Sequence, residues 1–290
     1  MRRISEADLI LNKGGSVYHL NLLPEDISDT ILHLGDPDRV KMVASFFQKT
    51  EIKKQKREFV TVTGSYNGKR ITVISTGIGT DNIDIVYNEL DALVNINLKT
   101  RTIKETLTEL KLIRIGTSGS LQEEIKPDAF VFSKYGLGMD SLLHYYKLNN
   151  TNKEKNLLES FRNSYSAFPT LPLPYLASCS DELEEKISGE MHKGITATCP
   201  GFFAPQGRKL RYELMYPGLI DRLTLFEHNK WKITNFEMET AGMYGLASIL
   251  GHHCCSVSAI VVNRITKQQS RNAEKAMMDL IALVLERLAA

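Results

Sequence analysis

Thr30-Ile31-Leu32-His33-Leu34-Gly35-Asp36-Pro37-Asp38-Arg39 carries the two signals that set the fold. A short apolar run stops at a glycine, and an Asp-Pro pair opens the next element. The run has the length and composition of a buried strand. Proline suits the first turn of a helix, where its missing N–H would be unpaired anyway. A strand that ends in glycine and passes at once into a helix is the repeating unit of α/β proteins. The same punctuation recurs along the chain. Apolar runs at 71–75, 112–115, 129–133 and 257–262 are rich in Val and Ile and read as further core strands.

Helical patterns lie between them. The Asp-Pro pair opens a helix over 38–47. Ile85, Val86, Leu90 and Leu93 share one face over 82–94, and Met238, Ala241, Gly242, Gly245, Leu246 and Ile249 do so over 236–250. Residues 273–288 form an amphipathic helix. The stretch 149–174, with Pro169, Pro172 and Pro174 at its end, reads as the main loop. No repeat or low-complexity linker divides the chain, so one domain over residues 1–290 is expected, with functional loops at the carboxyl ends of the strands.

Composition narrows the function. Of 290 residues, 42% are hydrophobic and 24% charged, with a net charge of +2. Without clustered Lys and Arg, nucleic acid is not an expected partner. No run of about 18 apolar residues is present, so no membrane span is expected. The start, Met1 to Asp8, lacks the apolar run of a signal peptide. The four cysteines, Cys179, Cys199, Cys254 and Cys255, form no CxxC pair and read as buried free thiols of a cytoplasmic protein. His252-His253-Cys254-Cys255 reads as packing, because neighbouring side chains point in different directions.

The chemistry is written where strands meet glycine. Leu34-Gly35-Asp36-Pro37-Asp38-Arg39, Ser75-Thr76-Gly77-Ile78-Gly79-Thr80 and Ile113-Arg114-Ile115-Gly116-Thr117-Ser118-Gly119 each bring backbone N–H groups to where an anion can approach, with a helix start to follow. Arg39 and Arg114 add guanidinium forks that match phosphate oxygens. Any α/β protein has such turns, so no one segment decides the matter. Gly77-Ile78-Gly79 lacks the third glycine of a dinucleotide fingerprint, and no P-loop is present. Asn235-Phe236-Glu237-Met238-Glu239-Thr240-Ala241 sets two carboxylates two residues apart in an apolar stretch. On a strand or loop they point the same way, and a carboxylate can accept hydrogen bonds from both hydroxyls of a ribose.

Together with Arg57-Glu58-Phe59, Gln206-Gly207-Arg208 and Val261-Val262-Asn263-Arg264, these stretches stand in the order found in one family. The chain resembles the uridine phosphorylases of the nucleoside phosphorylase-I family, from about residue 16 to the C-terminal helix. The resemblance implies an α/β three-layer sandwich around a central twisted mixed sheet. It implies an enzyme that uses inorganic phosphate as co-substrate and needs no other cofactor. Phosphate would lie on Gly35 among Arg39, Arg114 and Thr117, with Arg57 reaching in from a neighbouring subunit. His19, also from the neighbour, would meet the ribose 5′-hydroxyl. Glu239 and the Met238 backbone would hold the ribose, and Phe202, Gln206, Arg208 and Arg264 the base. Arg114, Glu239 and Arg208 are the catalytic residues the resemblance implies. Some relatives hold a monovalent cation at positions matching Glu58, Ile78 and Asn82, but Asn82 stands where serine is usual and no metal is assigned.

Base choice follows from the same residues. Purine-cleaving members carry an Asp after the late strand, where this chain has Asn263-Arg264. Gln206 can donate and accept, matching uracil, and Arg208 can stabilise a departing uracil anion. Uridine is therefore the expected substrate. Met243-Tyr244-Gly245 looks more like purine enzymes, which keeps a purine nucleoside phosphorylase as the alternative, with a non-catalytic nucleoside-binding protein on the same scaffold as a third reading. The stretch 95–111 is longer than in hexameric bacterial relatives, so a homodimer with shared active sites is expected rather than a hexamer.

Overall fold

The structure, a computed structural model, describes residues 3–290. Its opening unit forms as the sequence implies. β1 (Thr30–Leu34) is buried beyond its first residue, Gly35 and Asp36 turn the chain, and α1 (Pro37–Ala44) comes next. Asp36 caps that helix, its carboxylate accepting the Asp38 N–H at 2.9 Å. A hairpin of β2 (Lys49–Lys56) and β3 (Phe59–Tyr66) leads to β4 (Lys69–Ser75), α2 (Thr80–Asn95) and the short pair β5 (Ile96–Asn97) and β6 (Thr102–Ile103). Then come β7 (Lys111–Ser120), β8 (Phe130–Gly138), α3 (Asn152–Tyr165), β9 (Tyr175–Ser178), α4 (Asp181–Ile187) and β10 (His192–Thr198). The chain closes with α5 (Leu219–Leu225), β11 (Glu227–His228), β12 (Trp231–Glu237), α6 (Thr240–Leu250), β13 (His253–Asn263) and α7 (Ala273–Ala289).

The architecture is mixed α/β around one large mixed sheet. β4, β1, β7 and β13 run parallel, in that order, and carry the fully buried Ile31, Leu32, Leu112, Ile113 and Val257. The α2–α6 and α4–α7 pairs pack on this sheet. β8 lies antiparallel to β13 and parallel to β10, and β10 is parallel to β12. β12 then returns to β7, with Asn235 and Phe236 opposite Ser120 and Gly119. The far part of the sheet therefore curls into a closed ring, helped by bulges in β10 and β13 that add local twist. A second apolar core, with Phe161, Leu223, Phe226 and Phe236, fills the space under α3 and α5.

Two sequence expectations need correction. The stretch 149–174 is not mainly loop, because 152–165 is helix α3. Thr151 and Glu154 form a reciprocal capping box, the Glu154 carboxylate accepting the Thr151 N–H at 2.7 Å, and Leu157, Leu158, Phe161 and Tyr165 turn inward. The clustered prolines all lie beyond the end of this helix, so they break nothing in it. Likewise, the helix expected over 236–250 begins at Thr240, and Phe236 and Glu237 end β12. The four cysteines are buried and unpaired. Among the described residues no helix is long and apolar enough to cross a membrane.

Candidate active site

A cavity of about 500 Å³ opens beyond the carboxyl ends of β1 and β12, along the second half of β7. It gathers Gly35, Arg39, Arg114, Thr117, Phe202, Gln206, Arg208, Met238 and Glu239. Residues from four distant parts of the chain thus line one space.

Arg114 is its centre. Only 7% exposed, it points one guanidinium nitrogen, Nη2, at Glu239 (2.7 Å) and Glu237 (3.0 Å). Its other terminal nitrogen lies 3.4 Å from the hydroxyls of Ser256 and Ser258, which alternate along the neighbouring β13. The side chain runs along its own strand over Gly116, where a Cβ would stand 2.3 Å from Nη1. Glycine there is a requirement of space. The third glycine segment is thus strand interior with no helix after it, so the expectation of a helix dipole at that segment is not met.

Glu237 and Glu239 do point the same way, as their spacing implied. Glu237 is saturated: it accepts from Thr198 (2.8 Å) and from the N–H groups of Glu239 (3.0 Å) and Thr240 (3.0 and 3.1 Å), as the anionic cap of α6. Glu239 accepts the Gly79 N–H at 2.8 Å with one oxygen and Arg114 with the other. The helix start at Gly79 therefore serves an internal carboxylate. Two buried carboxylates share one guanidinium, so burial first, and then the charge of Glu237, hold the Glu239 carboxyl above its usual range despite Arg114. The two carboxylates hold Arg114 firmly charged against the cost of burying it.

Arg39 faces the same space. Burial draws its pKa down, Asp36 at 3.9 Å opposes that, and the positive charge of Arg114 adds to it. Two guanidinium groups line this space, Arg39 held by the Asp36 carboxylate only at 3.9 Å, and together they favour a small anion between them. His33 adds no charge. Its ring is buried without hydrogen-bond partners, and burial, then Arg114, push its pKa down to about 3.

The cavity is also lined by a segment around a short 3-10 turn, Ala204–Gln206. Gln206 is buried, and its Oε1 accepts from Arg208 at 2.5 Å. The Arg208 guanidinium also donates to the Phe202 carbonyl at 2.6 Å and lies 3.7 Å over the Phe202 ring. Gly207, at φ +64°, turns the chain between Gln206 and Arg208 in the left-handed conformation that glycine adopts without strain. Arg264 does not line the cavity. It braces this segment from behind, donating to the carbonyls of Gln206 (3.0 Å) and Gly207 (3.4 Å).

His19 and Arg57 also lie outside the cavity. Arg57 is exposed at the tip of the β2–β3 hairpin with a left-handed φ of +54°. The hairpin that carries Arg57 is tied to the N-terminal turn that carries His19, because Lys56 donates to the carbonyl of Tyr18 and, at 3.0 Å, to Asn12. Sequence reasoning missed the supports of Arg114. Ser256 and Ser258 are legible only as two small polar residues at strand spacing, and Glu237 only by its phase with Glu239.

The family model described as "Phosphorylase superfamily" matches residues 29–290. A uridine phosphorylase of Thermococcus kodakarensis is 30% identical over 267 residues, 90% of this chain and 82% of the relative. A DeoD-type purine nucleoside phosphorylase of Buchnera aphidicola is 27% identical over 276 residues, 93% of this chain and 98% of the relative. A solved Trypanosoma brucei nucleoside phosphorylase, described as showing uridine phosphorylase activity, superposes with a TM-score of 0.88 at 26% identity, covering 97% of this chain and 99% of that one. On sequence and fold alike, the chain belongs to the phosphorylase superfamily.

Proposed function

We propose that this protein is a uridine phosphorylase, which cleaves uridine with inorganic phosphate to give uracil and ribose 1-phosphate. The observation that carries the reading is the shared cavity: Gln206 and Arg208 line the same space as Arg39, Arg114 and Glu239. Phosphate sits on Gly35 between Arg39, Arg114 and Thr117. Glu239 accepts from the ribose hydroxyls, beside the Met238 backbone. A phosphate oxygen attacks C1′ as the glycosidic bond breaks, and its electron pair leaves with N1 of uracil. The ribose passes through a cationic state between two anions, which fixed guanidinium groups stabilise without reorganising. Uracil lies against Phe202, so the Arg208 guanidinium that covers this ring swings aside to meet a uracil carbonyl.

Asn263 weighs against purine cleavage. It is wholly buried, donating to the carbonyls of Gln122 and Ile125 at 2.8 and 2.9 Å and accepting the N–H groups of Ile265 and Thr266 at 2.9 Å. A fully engaged amide offers no proton to a purine N7. The deciding assay incubates the protein with uridine, thymidine, cytidine, inosine or adenosine, with and without phosphate. Uracil and ribose 1-phosphate are expected, only when phosphate is present. Cleavage of inosine in preference to uridine would refute the substrate, and uridine bound without turnover would refute catalysis.

The active site is shared between subunits. Arg57 and His19 lie outside their own cavity, on two segments tied together through Lys56, and each serves the site of a partner subunit. The left-handed φ of Arg57 costs of order 1 kcal/mol and is the kind of strain kept where function needs the side chain. Arg57→Gly is accordingly expected to keep thermal stability within about 1 kcal/mol of the parent, while the KM for phosphate rises at least about tenfold. An unchanged phosphate KM would remove Arg57 from the site. Gly116→Ala tests the other side of the phosphate. The added methyl displaces the Arg114 guanidinium, so kcat/KM falls by roughly tenfold or more, with about 1–3 kcal/mol of overpacking cost visible in urea unfolding.

A further inference from the structure

We propose that Glu89 is a positioning residue, which sets the tautomer and aim of His19 for the ribose of the partner subunit. The inference rests on the proposed role of His19 at the 5′-hydroxyl and deepens it.

Glu89 lies on α2, seventy residues from His19, and its carboxylate is almost wholly occupied by the turn that carries that histidine. One oxygen, Oε1, accepts the His19 N–H at 2.8 Å and faces Nδ1 of the ring at 2.7 Å. The other, Oε2, accepts the N–H of Leu20 at 2.8 Å and that of His19 at 3.0 Å. A carboxylate side chain 12% exposed thus collects every contact on offer from one short turn. The turn leaves through Asn21 at φ +56°, a left-handed conformation that asparagine adopts readily, and its Oδ1 accepts from Ser16 at 2.9 Å. Lys56 holds its other side through the Tyr18 carbonyl.

The chemical consequence lies in the ring. A carboxylate can only accept, so Nδ1 must carry the hydrogen. In the neutral imidazole the lone pair is then on Nε2, the ring nitrogen that Glu89 leaves free, on a side chain that is 28% exposed. A free acceptor suits the proton of a hydroxyl group. Without a carboxylate on Nδ1, the ring can hold its proton on either nitrogen and rotate, and it presents the wrong one for part of the time. The same carboxylate ties the N-terminal turn to α2, whose first residues border the cavity through the Gly79 N–H held by Glu239. The arrangement therefore couples a residue that serves one site to the helix that frames the other.

Glu89→Gln tests this with two substrates, uridine and 5′-deoxyuridine, and His19→Ala beside it. The amide keeps the shape but places a donor where Nδ1–H must be accepted. Any general loosening of the fold affects both substrates equally, whereas a misdirected Nε2 matters only where there is a 5′-hydroxyl. For Glu89→Gln, kcat/KM on uridine is expected to fall roughly tenfold, the worth of one hydrogen bond, and that on 5′-deoxyuridine to stay at the parent value. Equal losses on both substrates, or no loss on uridine, would overturn the positioning role. If His19→Ala fails to distinguish the two substrates while phosphorolysis persists, the placing of His19 is wrong, and the role of Glu89 falls with it.

Discussion

Arg114→Ala is expected to cut turnover by about two to three orders of magnitude and to weaken the fold in one step. The guanidinium is the shared partner of Glu237 and Glu239, and all three groups are buried. Removing it strands two carboxylates that are themselves almost wholly buried. Breaking a buried ion pair from one side costs about 3–5 kcal/mol, because the charge left behind has lost both solvent and partner. The loss has a pH signature. Glu239 already holds its proton more tightly in the fold than an unfolded glutamate does, through burial and then Glu237, even with Arg114 opposing. Without Arg114 that upward shift grows. A carboxyl raised in the folded state binds more protons folded than unfolded, so stability falls as pH rises above the ordinary carboxylate range. The deficit of the variant relative to the parent, read by urea unfolding, should be larger at pH 8 than at pH 5. Adding Glu239→Gln should recover part of the stability and none of the activity, since the proposed ribose acceptor is then gone as well. The activity loss of Arg114→Ala should reach about a hundredfold to a thousandfold, the scale of removing one fixed electrostatic donor from an active site. A deficit independent of pH would mean that the carboxylates find water or another cation when Arg114 goes.

The second large effect is at the base. Arg208→Ala should lower kcat/KM on uridine by roughly 10- to 150-fold, the equivalent of a charged hydrogen bond of about 1.5–3 kcal/mol. Stability should hardly change, because Arg208 is only half-buried and its contacts are with a loop carbonyl, Gln206 and the face of Phe202. Burial first, then the charge of Arg264, push its pKa down to about 10, so it remains charged at neutral pH. If the guanidinium stabilises the departing base, a better leaving group needs it less. The penalty should therefore shrink for 5-fluorouridine, whose ring carries negative charge more readily. The KM for phosphate should not move. Equal penalties on uridine and 5-fluorouridine would assign Arg208 to binding alone, and normal kinetics would place the base elsewhere.

The residues that carry these effects are legible to different degrees. Arg39 stands out because it follows Gly35-Asp36-Pro37 at a helix start, and Glu239 because an acidic pair breaks an apolar stretch. Gln206 and Arg208 sit in a segment that, taken alone, reads as a surface loop. Their meaning comes from the order of the surrounding motifs. Thr198, Ser256 and Ser258 look like ordinary strand residues, and nothing local marks Glu89 as the partner of a histidine seventy positions away.

What the sequence determined by itself is local and periodic. β1 with its glycine turn, the capped start of α1 and the apolar faces of α2 and α7 are set within a turn or two by backbone sterics, capping and spacing. The capping box at Thr151 and Glu154 is local in the same sense, since both of its residues lie within one turn. Tertiary structure alone decided the rest. The return of β12 to β7 depends on pairing between residues more than a hundred positions apart, and no short window encodes such a partner. That closure brings Glu237 and Glu239 to Arg114. A charge can be buried only where its counter-charges also arrive, so the site comes into being only when the sheet has closed.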